Sequence, residues 1–147
     1  MSDFALDVSK WVAKAKAAPE RVVRSVTIKL WSAVIKGSPV AEIEGGRFRG
    51  NWFASGANQS TEVSDIKDKD GRPTINKATQ VVVGIADWTN MTLTNNLPYA
   101  NVIEFGGYPG DGPNTVGGFS KQAPHGVVRV NVARFQQLIN EEAAKQR

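Results

Sequence analysis

One acid in this chain sits inside an apolar run. Glu104 lies between Ile103 and Phe105 in the stretch Asn-Asn-Leu-Pro-Tyr-Ala-Asn-Val-Ile-Glu-Phe-Gly-Gly, residues 95–107. A carboxylate held at the edge of an apolar body either does acid–base chemistry or pairs with a cation, because its charge needs an answer there. Arg47, Arg49 and Arg129 are the candidate partners. A second acidic group, Asp65, Asp68 and Asp70 followed by Gly71, is similar to a calcium loop. Its Asp-x-x-Asp-x-Asp-Gly spacing is wrong for one, and no closing glutamate follows. The same aspartates would serve a metal-dependent nuclease, which is one alternative. The single histidine, His125, stands in a turn, and a chain with one His and no Cys does not make a zinc site. An enzyme needs a nucleophile–base or acid–base set, and no such set stands out. The expectation is a protein without catalytic residues, cofactor or metal.

The other chemistry-bearing stretch is Gly-Arg-Phe-Arg-Gly-Asn-Trp, residues 46–52. Two arginines interleaved with aromatics suit base stacking or a phosphate grip, which makes a DNA-binding module the second alternative. They equally suit a strand that buries Phe48 and Trp52 and ties Arg47 and Arg49 to carboxylates. The glycine-rich run after Gly107 lacks the Lys-Ser/Thr of a phosphate-binding P-loop. At 147 residues with a net charge of +4, the chain has the size of one ordinary domain with a real core, expected over 1–147. Its basic bias falls in the first fifty residues and is too mild to mark a nucleic-acid binder by itself. The absence of cysteine fits a reducing cytoplasm, and no apolar run reaches membrane-spanning length.

The elements that position these residues follow from periodicity. Residues 3–18 read as an amphipathic helix carrying Phe4, Val8, Trp11 and Val12 on one stripe, with Lys10, Lys14 and Lys16 off it. Pro19-Glu20 opens a second helix to about Lys36, whose wide apolar stripe marks it as the main helix on a sheet. Residues 47–54 alternate as a strand, 74–86 lean to a short helix, and 91–94 alternate again. The 95–107 stretch is either extended or a helical turn started by Pro98. Trp52, Tyr99 and Phe105 are expected to be buried. Two segments, 55–73 and 107–121, read as projecting loops, and Gln122-Ala-Pro-His-Gly126 reads as a turn. A last helix carries Val132, Phe135, Leu138 and Ile139, and 141–147 reads as a fraying tail. The fold class expected is α+β, a small mainly antiparallel sheet packed with two N-terminal helices and a C-terminal helix.

Taken together and in this order, residues 46–52, 95–107 and 122–126 and the terminal helix resemble the neck or tail-completion proteins of long-tailed bacteriophages, the group of minor tail protein Z. In that family a Pro-Val-Asp-Thr-Gly-Arg run precedes the first motif. Here Pro39-Val40 is followed by Ala-Glu-Ile-Glu-Gly, and the glycine loop at 107–119 is longer. The resemblance implies a structural virion protein at the head–tail junction, assembled in the host cytoplasm. It implies a homo-oligomeric ring, six copies with twelve as the alternative, between head-closure and tail-terminator or tail-tube proteins. DNA would pass through the channel without sequence-specific binding, and no membrane is involved. The residues it singles out for structure or assembly are Arg47, Arg49, Asn51, Trp52, Pro98, Tyr99, Glu104, Phe105, Gln122 and Pro124. The two projecting loops are expected to become ordered on assembly.

Overall fold

A computed structural model of the chain describes residues 19–145. The helix expected over 3–18 lies outside them. The fold is α+β, with five helices and two small antiparallel sheets among the described residues. Helix α1, Pro19–Gly37, is the spine. Eight of its residues are buried, among them Val22, Val26, Leu30, Trp31 and Val34, and it packs against helices on more than one side. Its partners are α2 (Arg72–Gly84), the short α4 (Val128–Val132) and α5 (Phe135–Lys145). A wide apolar stripe requires this arrangement, since a single neighbour covers only a narrow seam.

Strands β1, Trp52–Ser55, and β2, Thr92–Asn95, pair antiparallel with Trp52 opposite Asn95 and Ser55 opposite Thr92. All four residues of β2 are buried, so this strand is covered on both faces. The hydroxyls of Ser55 and Thr92 meet at 2.8 Å across the ladder. One apolar cluster joins α1, both strands, α2, α3 (Ala100–Phe105) and α5.

Several expectations are corrected. The strand expected over 47–54 covers only its end, because residues 49–51 form a 3-10 turn. Gly46 adopts φ +112°, where a Cβ would sit 2.7 Å from the Asp68 amide nitrogen, and its carbonyl accepts from the Gly50 and Asp68 amides at 2.8 and 3.0 Å. Phe48 and Trp52 still meet, edge to face with centroids 5.7 Å apart. A four-residue spacing satisfies a helical turn as well as a strand, which is why the pattern misled.

The 95–107 stretch takes its helical alternative. Exposed Pro98 turns the chain and α3 follows, ending at Gly106. The loop expected over 107–121 contains a hairpin, β3 (Thr115–Val116) with β4 (Phe119–Ser120). Its base is closed by the Gly107 and Tyr108 amides donating to the Gly118 carbonyl at 2.9 and 3.1 Å. The 55–73 segment is not a free tip either. Within this expected projecting loop Asp68 is buried, as is Thr74 just after it. The tail expected to fray from 141 instead continues α5 to Lys145 and buries Glu142.

Candidate assembly site

Glu104 comes off α3 into the turn that starts α4. Its Oε1 accepts from the Val127 and Val128 amides, both at 2.7 Å, and its Oε2 from the Arg129 amide at 2.9 Å. The Arg129 guanidinium adds a bond from Nε to Oε2 at 2.8 Å and one from Nη2 to the Glu104 carbonyl at 2.5 Å. Of the three candidate arginines, Arg129 is the partner. The carboxylate is nearly fully buried, whereas Arg129 is over half exposed, so the three amides are the enclosed part of the arrangement. Four α4 and pre-α4 donors leave both oxygens fully engaged, a structural use of the acid.

The turn before α4 must come close for this. Gly126 has φ +83°, and a Cβ there would lie 2.6 Å from the Glu104 carbonyl oxygen and 2.9 Å from Oε1. The Gln-Ala-Pro-His-Gly segment is therefore fixed by its glycine, while Pro124 and His125 are exposed. Phe105, expected to be buried, is 56% exposed, with the Arg129 guanidinium carbon 4.6 Å from its ring centroid. The helical turn rotates Phe105 outward as it carries Glu104 in, because adjacent helical residues do not share a face. Tyr99 is half-buried beside Phe48, with ring centroids 5.9 Å apart, and burial raises the pKa of its phenol.

The paired arginines do not reach Glu104, and among the described residues only Arg47 meets a carboxylate. Arg47 donates to the Ser64 carbonyl at 3.2 Å and lies 3.3 Å from Asp65. Arg49 serves three backbone carbonyls: Lys36 at 2.9 Å, Ser38 at 2.8 Å and Lys69. It thereby ties the end of α1 to the segment before α2. Asn51 bridges likewise, donating to the Arg47 and Ser64 carbonyls at 2.6 and 2.9 Å and accepting from the Ser64 amide at 2.8 Å. Trp52 is buried and donates to the Ser38 hydroxyl at 2.8 Å, which in turn donates to the Val34 carbonyl at 2.8 Å. Gln122 clasps Val40 with both amide atoms, accepting from its N–H at 2.9 Å and donating to its carbonyl at 2.7 Å.

Sequence reasoning missed four residues of this kind. Asp68 accepts from the Gly71 amide at 2.7 Å, the Thr74 amide at 3.0 Å and the Thr74 hydroxyl at 2.5 Å. Burial opposes its ionisation, but these bonds outweigh it and its pKa is lowered. Pro73 one residue after Arg72 was the available signal of a helix start needing an acceptor. Both Asp68 oxygens hold the α2 start, which a nuclease ligand would have to give up. Asn95 donates to the Phe48 carbonyl at 3.0 Å, and Asn96 to the Ser60 and Glu62 carbonyls at 2.8 and 3.1 Å. Glu142 joins α5 to α1 through Ser25 at 2.8 Å and Lys29, and nothing in its polar surroundings marked it.

Between the 39–47 loop, α3 and the β3–β4 hairpin lies an open groove of about 650 Å³. Val40, Phe48, Tyr99, Ile103 and Tyr108 give it an apolar lining. Among the described residues there is no group of three His, Cys, Asp or Glu placed to share an ion, and no helix is long and apolar enough to cross a membrane. No protein-family profile, curated protein or solved structure matches this chain.

Proposed function

We propose that this chain is a structural protein of the bacteriophage neck that completes the tail and joins it to the DNA-filled head as a ring around the DNA channel. The observation that carries this reading is the use of the polar residues in the three motifs. Arg49, Asn51, Glu104 and Gln122 direct their hydrogen bonds at the backbone of segments distant in sequence. Each one pins a connecting segment onto the helix-and-sheet body. Asn51 and Glu104 are buried, and polar groups so engaged fix loop shape and are not available to a substrate, while half-buried Arg49 and exposed Gln122 hold their loops at the surface. A body that displays shaped loops suits subunit-to-subunit contact, and the motif resemblance supplies the setting. In a head-to-tail ring each subunit presents one surface forward and a different one backward. The neighbours in this reading are head-closure and tail-terminator or tail-tube proteins, and DNA passes through without base readout. The arginines favour this over a DNA-binding module, because Arg49 is engaged by three carbonyls and Arg47 by Ser64 and Asp65.

The test is genetic and microscopic. A phage whose copy of this reading frame is interrupted should accumulate DNA-filled heads and separate tails, and the purified chain should join them in extract. Normal tailed particles from the interrupted phage would overturn the proposal.

A further inference from the structure

The groove has no occupant within the described residues, and it carries features of a peptide-binding surface. Its floor is aromatic and aliphatic, formed by Phe48, Tyr99 and Ile103. Its rim on the 39–47 loop is acidic at Glu42 and Glu44. Arg47 is answered by Asp65 and Glu44 by Lys67 at 3.4 Å, so Glu42 sets the remaining sign. Ile43, between the two glutamates, is 84% exposed. On the opposite wall, next to the lining residue Thr115, Val116 is 52% exposed. Neither Ile43 nor Val116 lines the groove itself, but an aromatic-lined groove with an acidic rim fits an amphipathic segment bearing lysines.

The sequence holds one such segment, residues 3–18, with Phe4, Val8, Trp11 and Val12 on one stripe and Lys10, Lys14 and Lys16 off it. Reach in the helical form expected of residues 3–18 favours another copy's segment. The groove lies past the C-terminal end of α1, at Pro39 and Val40, whereas residues 3–18 join the N-terminal end at Pro19. As a helix folded back along α1, Trp11 would stand about 12 Å from Pro19, while Gly37 stands about 27 Å away at 1.5 Å per residue. In the helical form that its period implies, Trp11 therefore falls well short of its own groove, which only a fully extended chain at about 3.4 Å per residue approaches. We infer that the groove binds residues 3–18 of a second copy of this chain, a head-to-tail exchange in which the apolar stripe fills the groove and the lysines meet Glu42. A contact of this type propagates from copy to copy and closes if the rotation fits. The inference deepens the ring reading and rests on its self-association.

The chain has no cysteine, so two introduced ones report a single contact. Full-length Trp11→Cys chain is mixed with full-length Val40→Cys chain and oxidised mildly with copper–phenanthroline, each variant first matched to the parent by circular dichroism. The expected product is a disulfide-linked pair of unlike chains, at about tenfold the yield obtained when Val83→Cys, exposed on α2, replaces Val40→Cys. Replacing Lys10, Lys14 and Lys16 by Glu should cut the yield about fivefold, and Glu42→Lys should restore it. Equal yields at positions 40 and 83 overturn the inference, and so does no crosslink. A crosslink formed only within single chains of the Trp11→Cys/Val40→Cys double variant overturns it in favour of docking in cis. Because the readout needs no phage particle, a crosslink from a chain dispensable for head–tail joining would remove the neck reading and leave the exchange standing. A missing crosslink beside failed joining would do the reverse.

Discussion

Glu104 shows how a single carboxylate can organise two segments. Its charge is neutralised less by Arg129, which is over half exposed, than by three amides at the start of α4. Two variants separate these contributions. Glu104→Gln places an amide nitrogen against N–H donors and leaves at least one of them unsatisfied, so it should lower stability by about 2–4 kcal/mol. Arg129→Ala removes a screened partner and should cost about 1 kcal/mol. Chemical denaturation of both checks the order, and an equal or larger loss for Arg129→Ala would contradict it. Gly126 belongs to the same node. Gly126→Ala needs a Cβ inside contact distance of Glu104 and a strained left-handed backbone, and melting should report a loss comparable to that of Glu104→Gln. Trp52 is buried and tied to Ser38, so Trp52→Ala should cost about 3–5 kcal/mol by the same measurement.

At the scale of elements, α5 is held to α1 by polar as well as apolar contacts. Phe135, Leu138 and Ile139 enter the core, and Glu142 meets Lys29, Ser25 and Lys145 one turn on. The hydrogen bond from Lys29 pulls the Glu142 carboxyl down to about 2, against burial, which acts the other way. A carboxyl whose folded pKa lies below its unfolded value stabilises the fold above the unfolded pKa, 4.5 here, and loses that contribution as pH falls towards 2. The contribution is at most about 3 kcal/mol and smaller in practice, because the Lys29 side chain is more than a third exposed and screened. Glu142→Gln should melt below the parent at pH 7, with the gap closing between pH 4.5 and 2. A gap that stays constant over that range would show that Glu142 contributes through packing alone.

The whole molecule is a helical spine with connecting segments pinned around it, and its assembly should depend on those segments. Removing residues 109–118 deletes β3 and the Gly118 carbonyl that closes the hairpin base. The Gly107 and Tyr108 amides then face water at the surface, and the core cluster loses none of its buried residues. The expected outcome is a chain with near-parental melting that yields tailless heads and unattached tails. Normal infectious particles from this deletion would show that the hairpin plays no part in joining. The same deletion removes Asn114 and Thr115 from the groove wall, so it should also weaken the crosslink between copies.

By itself the sequence determined the elements whose apolar period is long and unbroken. The wide stripe from Val22 to Ile35 required a central helix and Phe135, Leu138 and Ile139 another, because burial of such stripes leaves few alternatives, while 74–86 only leaned to the helix that Ala78 and Val82 now anchor. It also marked Glu104 as an acid needing a partner. Tertiary structure decided everything in which one local pattern served two geometries. Phe48 and Trp52 fit a strand or a turn, and the glycine at 46 with the Asn95 and Asn51 bridges made it a turn. The 95–107 stretch fitted both periods, and only the amides of 127–129 fixed the helical one that turns Glu104 in and Phe105 out. The roles of Asp68 and Glu142 were illegible for the same reason: a carboxylate in a polar stretch reads as solvated until a segment distant in sequence, or the turn of its own helix, brings donors to it.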